Sequence, residues 1–78
     1  MYLIEAEEGQ ILEVKGIRAG YEARTRLENM GVVEGVKLKV VKMGPAFGPV
    51  LVEIARDGNR VALGRGLASK VEVTPVAE

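Results

Sequence analysis

The 78-residue sequence predicts a mostly β domain: a small, strongly bent antiparallel sheet of about five strands, with one α-helix after the first strand and a short helical turn before the last. Three observations carry this expectation. Short apolar runs alternate with polar residues at a period of two along most of the chain, while only residues 20–30 carry a helical stripe. An Asp57-Gly58 pair sits between two such alternating runs, as in a hairpin. Two strands also break their own alternation, at Gly16 and at Val40-Val41, where an inserted residue would bend a sheet toward a barrel.

The elements follow in chain order. Tyr2-Leu3-Ile4 is a short apolar lead-in, with Leu3 folding back over one end of the core. Glu5, Glu7 and Glu8 precede the turn residue Gly9. Carboxylates suit hard cations, but the Asp, Asn and Gly spacing of a calcium loop is missing, which favours a solvated turn. In the first strand, Ile11 to Ile17, Leu12 and Val14 point one way and Glu13 and Lys15 the other. Ile17 regains the inner face only if one residue is inserted, and Gly16 is the natural place for that bulge.

Gly20 to Met30 reads as the helix, with Ala23, Leu27 and Met30 making one narrow buried stripe. Glu22 lies in the first turn, where the helix dipole favours it, four residues ahead of Arg26. Arg24 and Arg26 fall on the wet side, where they either dock an acidic partner or form an ordinary solvated face. The helix has a well-specified stop. Gly31 can adopt the left-handed conformation that ends helices, which places the Leu27 carbonyl within reach of the Val32 amide and the two side chains in contact. Glu34-Gly35 then supplies the centre of a type II turn, with positive φ at Gly35.

Val36 to Met43 is the second strand, with Val36, Leu38 and Val40 inward and Lys37 and Lys39 outward. Residues 44–49 form a Gly/Pro loop centred on Phe47, the single phenylalanine. Phe47 either caps the barrel mouth or projects as an anchor for a partner. Reading Asp57-Gly58 as a two-residue type I′ turn pairs Arg56 with Asn59, Ile54 with Val61, Val52 with Leu63 and Glu53 with Ala62. All large apolar residues of that hairpin then share one face. Gly64-Arg65-Gly66 breaks the strand, Leu67 to Ser69 fits a single helical turn, and Val71 to Val73 is a last short strand that Pro75 ends. The two bulges favour closure into an SH3-like barrel, one domain spanning residues 1–78.

Composition narrows the chemistry. The chain has no Cys and no His, which removes thiolate nucleophiles, the commonest acid–base catalyst and the commonest metal ligand. Only Ser69, Thr25 and Thr74 offer hydroxyl nucleophiles, and none has a base nearby in sequence, so no enzyme and no cofactor are expected. Eleven basic residues balance eleven acidic ones, which counts against a nucleic-acid binder. The start of the chain lacks a basic flank and an apolar signal core, and no run is long enough to span a membrane, so the expected address is the cytoplasm.

Leu27-Glu28-Asn29-Met30-Gly31 followed by Gly35 resembles the Leu-x-x-Met/Leu-Gly-Leu-x-Pro-Gly signature of FeoA-type ferrous iron transport proteins. The resemblance runs on through Val36, Leu38 and Val40, the Gly48-Pro49 pair, Gly58, Ala62-Leu63, Ala68, Val71 and Val73. Glu34 stands where that family usually has Pro, and Val32 where it usually has Leu; both are compatible with the same turn. The resemblance implies a cytoplasmic accessory or regulatory protein of the membrane transporter FeoB, whose cytosolic part is a GTPase. A ferrous carrier would be expected to supply His or Cys ligands, so the residues point to action by protein contact and to no bound metal. The candidate contact surface is Phe47 with its loop, Arg24, Arg26, and Leu51 if it faces outward. The rival is a nucleic-acid-binding SH3-like module using Lys37, Lys39, Lys42, Arg56 and Arg60. The same barrel also occurs as the terminal domain of iron-dependent repressors. Exposed edge strands leave weak self-association open.

Overall fold

A computed structural model describes residues 1–45 and 48–76. Strands β1 (Ile11–Ile17), β2 (Lys37–Met43), β3 (Val50–Ile54), β4 (Arg60–Leu63) and β5 (Val71–Pro75) form one antiparallel sheet in the order β4-β3-β2-β1-β5. Helix α1 (Tyr21–Asn29) connects β1 to β2, and α2 (Arg65–Ala68) connects β4 to β5, the two edges of the sheet. A 3-10 turn at Leu3–Glu5 precedes β1 and buries Leu3.

Both expected bulges are present, the first one residue earlier than expected: Lys15, and not Gly16, is the extra residue opposite β5. The β1–β5 register shifts between Val14 and Gly16, which returns Ile17 to the buried face. The β2–β3 register shifts between Val40 and Lys42, so Val41 is the extra residue there. Each bulge bends its strand and raises the local twist, and together they wrap the sheet around its own apolar face.

The helix stop also forms. Gly31 has φ +86°, the Val32 amide donates to the Leu27 carbonyl at 2.9 Å, and the Gly31 amide donates to the Glu28 carbonyl at 2.9 Å. Leu27 and Val32 are both fully buried. Four residues on, the Val36 amide donates to the Val33 carbonyl at 3.2 Å across Gly35, whose φ is +92°. This is the expected type II geometry.

The β3–β4 hairpin corrects the expected register. Val50 pairs with Leu63, Leu51 with Ala62, Val52 with Val61, and Glu53 with Arg60, a slip of two residues from the type I′ pairing. A type I′ turn at Asp57-Gly58 would pair Arg56 with Asn59, but the Asn59 carbonyl accepts the Ile54 amide at 2.8 Å, and Gly58 takes up the reversal with φ +76°. Residues 55–58 instead form a longer loop in which the Ile54 carbonyl accepts the Gly58 amide at 2.8 Å. Asp57 Oδ1 accepts the Asn59 amide at 3.0 Å, so Asp57 shapes the loop through its side chain. A slip of two preserves the faces, so Val50, Val52, Ile54 and Leu63 are buried as expected. It also sets Glu53 opposite Arg60 instead of Ala62, and the two form an ion pair at 3.0 Å.

Among the described residues the buried side chains are all Leu, Val, Ile or Ala, and no polar or charged residue is buried. Any chemistry of these residues therefore takes place at the surface.

Candidate functional site

Three parts of the surface carry the candidate residues. The first is the outer face of β1 to β4. Lys37, Lys39 and Lys42 project there as expected, but carboxylates interleave them. Glu13 lies across from Lys37, and Glu53 lies between Lys39 and Arg60. Of the residues proposed for a basic stripe, Arg60 is paired with Glu53. The outer face is thus a checkerboard of charges, a poor match for a continuous run of phosphates. Leu51 sits on this face by parity, half-exposed between the buried Val50 and Val52, with Lys42 on one side and Ala62 on the other.

Leu51 is the second residue of β3 and so lies beside the 44–49 loop. The neck of that loop is tight. The Gly44 amide donates to the Pro49 carbonyl at 2.8 Å and the Gly48 amide to the Pro45 carbonyl at 2.9 Å. Phe47 lies outside the described residues.

The second part is α1. Arg24 Nη2 donates to the Ile17 carbonyl at 2.7 Å, so this guanidinium is tied to the end of β1. Arg26 is exposed and lies about 200° around the helix from Arg24, so the two arginines do not share one face. Leu51 pairs with the far end of β2, whereas β1 runs past the near end of β2 before reaching Ile17. The fold therefore puts Leu51 and the loop at one end of the β1–β2–β3 ladder and Arg24 at the other. The sequence reading also passed over Tyr21, the first residue of α1, which is 83% exposed. The signal was there: Tyr21 lies off the Ala23, Leu27, Met30 stripe, on the side that faces water.

The third part is a shallow groove of about 500 Å³ between the 33–37 turn and the β3–β4 loop, lined by Val33 to Lys37, Ala55 and Arg56. Its lining mixes Glu34 with Lys37 and Arg56 over half-buried valine, and Gly35 leaves its middle open.

The acidic lead-in serves the backbone. Glu5 Oε1 accepts the Tyr2 amide at 2.7 Å and Glu8 Oε2 accepts the Met43 amide at 2.9 Å, just past the β2 bulge. Among the described residues no three carboxylates converge as a metal site would require. Ser69 Oγ donates to the Gly66 carbonyl at 2.8 Å, which uses that hydroxyl to close α2.

A family model described as the FeoA domain matches residues 1–75, nearly the whole chain. The chain belongs to the FeoA family. It is 46% identical over 68 residues to a protein of Methanocaldococcus jannaschii named Fe(2+) transport protein A, an alignment covering 87% of this chain and 78% of that one. Among solved structures, an iron uptake regulatory protein (FeoA) superposes with a TM-score of 0.88 at 33% identity, covering 97% of each chain. FeoA of Stenotrophomonas maltophilia, solved as a zinc complex and described as a procaryotic SH3 domain protein, gives 0.79 at 27% identity over 95% of this chain and 89% of that one. The SH3-like architecture expected from the bulges is therefore the family's architecture. A manganese-dependent transcriptional repressor shares the fold over 97% of this chain (TM-score 0.91), but at 22% identity and over 36% of its own length, a likeness of fold alone. Among the described residues no helix of this FeoA-family chain is long and apolar enough to cross a membrane.

Proposed function

We propose that the chain is an accessory protein of ferrous iron transport that works in the cytoplasm by contact with a FeoB-like membrane transporter, through the transporter's cytosolic GTPase part. The observation that carries this reading is the aliphatic interior of a FeoA-family domain: among the described residues, none of the buried side chains can hold an ion or move a proton. Of the carboxylates that cluster in sequence, Glu5 and Glu8 accept backbone amides, and the chain supplies neither imidazole nor thiolate. That donor set does not suit a transition-metal carrier, and the zinc in the Stenotrophomonas relative does not change it. What the surface does offer is a half-exposed Leu51 beside a tightly necked loop, the arrangement of an apolar anchor with a polar surround. In this reading Phe47 and Leu51 form one contact and Arg24 and Arg26 contribute from the helix.

A domain that only touches its partner can change the partner's cycle only by binding one state better than another. Titration into the GTPase domain, nucleotide-free and loaded with GDP or a GTP analogue, tests this. Saturable binding with different affinities in the different states is expected. Equal affinity in every state would remove the regulatory role, and no binding in any state would remove the partner. Salt-sensitive binding to nucleic acid instead would favour the rival module.

A further inference from the structure

We propose that β4 is a pairing edge for a second copy of this chain, β4 against β4 in antiparallel order with Val61 opposite Val61. This contact needs no transporter and goes beyond the function proposed above.

The sheet has two edges, and the fold treats them differently. The outer edge of β5 is covered by the start of the chain. Tyr2 bridges to Glu72, the Val73 amide donates to the Met1 carbonyl at 2.7 Å, and the terminal amine donates to the Val73 carbonyl at 3.3 Å. The outer edge of β4 has no such cover among the described residues. The Ile54 amide donates to the Asn59 carbonyl, which fixes the alternation along the β3–β4 ladder. Val61 and Leu63 therefore turn their amides and carbonyls toward β3, while Arg60 and Ala62 turn theirs outward. Among the described residues nothing bonds those outward groups, and both residues are exposed. Folds guard an open edge with an inward-pointing charge, a proline or a lysine. β4 reads Arg-Val-Ala-Leu, and its single charge, Arg60, is already tied to Glu53.

An open edge can pair with an extended backbone, and the side chains of β4 fit its own copy. With Val61 opposite Val61, Arg60 of each copy exchanges both backbone bonds with Ala62 of the other, so every outward group is used. Val61, half-buried in one chain, meets its counterpart at the closer, non-hydrogen-bonded spacing. On the outer face one row then runs Glu53, Arg60, and Ala62 and Leu51 of the second copy. No like charges stand opposite each other, and the small Ala62 leaves room for the Arg60 stem of the other copy to lie toward Leu51. Beyond the paired residues, Arg56 and Asp57 cancel in the loop before β4, and Arg65 follows it. Antiparallel order sets the first end against the second, so no like-charged excess meets there. The neighbouring registers fit less well. Arg60 opposite Arg60 brings like charges together, and Ala62 opposite Ala62 sets Arg60 against Gly64, whose carbonyl already accepts the Ala68 amide in α2. So short a contact buries far less than the about 1,200 Å² of a stable interface, so the pairing is weak and depends on concentration.

The test follows the full chain by sedimentation equilibrium and amide NMR from about 0.05 to about 2 mM, a range that brackets a weak contact. Shifts that grow with concentration should centre on Arg60, Val61 and Ala62. Ala62→Glu sets a carboxylate opposite Arg60 on both sides of the two-fold axis and should tighten pairing about twofold or more. Ala62→Lys sets like charge there and should weaken pairing by a similar factor. Should either variant fail to fold, the wild-type amide map decides alone. A chain that stays monomeric over the whole range, or concentration-dependent shifts confined to another surface, would overturn the pairing. Weakening by both Ala62 variants would overturn this register, since it is the result expected of Ala62 opposite Ala62. Edge shifts that appear only on adding the transporter's GTPase domain would assign β4 to a strand of that partner and overturn the second copy as its occupant. Each of these outcomes leaves the transporter reading standing.

Discussion

Gly44 and Gly48 meet backbone to backbone at the neck of the loop that follows β2. A methyl group on Gly44 would lie 2.7 Å from the Pro49 carbonyl oxygen and 2.8 Å from the Gly48 carbonyl carbon. Neither atom is the end of a flexible side chain, so the neck cannot yield without opening. Gly44→Ala should cost about 1–3 kcal/mol in denaturant unfolding, the usual range for overpacking. Gly66, inside α2 with nothing near its methyl position, is the control: Gly66→Ala should stabilise by about 0.5–1 kcal/mol. Equal effects at the two sites would mean that the neck is not closed as described.

Gly31 combines two constraints. Its φ of +86° is costly for any residue with a side chain, and a methyl there would sit 3.0 Å from Ile54 Cδ1. Gly31→Ala should lower stability by about 1–2 kcal/mol from the backbone alone, and more where Ile54 cannot shift. Gly35→Ala, with φ +92° and open space around it, should show only the backbone part. The difference between the two variants measures the Ile54 contact.

The corrected hairpin register has a direct spectroscopic consequence. The Ile54 amide donates to the Asn59 carbonyl, so alternation along the ladder makes Glu53–Arg60 and Leu51–Ala62 the close, non-hydrogen-bonded pairs. A strong Hα–Hα NOE between Leu51 and Ala62 is expected. A Glu53–Ala62 cross-peak in its place would restore the two-residue turn. A double-mutant cycle on Glu53 and Arg60 should give a coupling of about 0.2–1 kcal/mol.

Arg18 ties the end of β1 to β5 through Glu72, with Nη2 2.6 Å from the carboxylate. The hydrogen bond and charge of Glu72 raise the Arg18 pKa above the ordinary range of a guanidinium. A raised pKa contributes stability that is complete below the unfolded value and lost only as pH climbs through the folded one. The arginine's part therefore stays constant from about pH 6 to about pH 9. Arg18→Gln should lower the thermal midpoint slightly and by the same amount at both ends of that range. A deficit that shrank toward pH 9 would contradict the assignment.

Much of this was legible from local rules. The Gly31 stop, the bulges beside Gly16 and at Val41 and the inward set of every strand follow from period and turn chemistry. Each of these depends on residues close together in sequence. The hairpin was half-legible: Asp57-Gly58 marks the reversal, but the Asp57 side chain and the Glu53–Arg60 pair select a longer loop that local pattern does not distinguish. The surface was least legible. Leu51 was a candidate only if it faced outward, which the β2–β3–β4 register decides, and the tie of Arg24 to Ile17 joins two elements whose relative pose no periodicity encodes. The carboxylates among the lysines are likewise visible only once register sets Glu13 and Glu53 beside them.

The central claim is that this chain touches another protein and carries no iron itself. An anaerobic equilibrium dialysis of the purified chain against micromolar Fe²⁺ tests it most directly. The account predicts no saturable binding, with bound iron rising only in proportion to free iron. Capture of one tightly held Fe²⁺ per chain would contradict it.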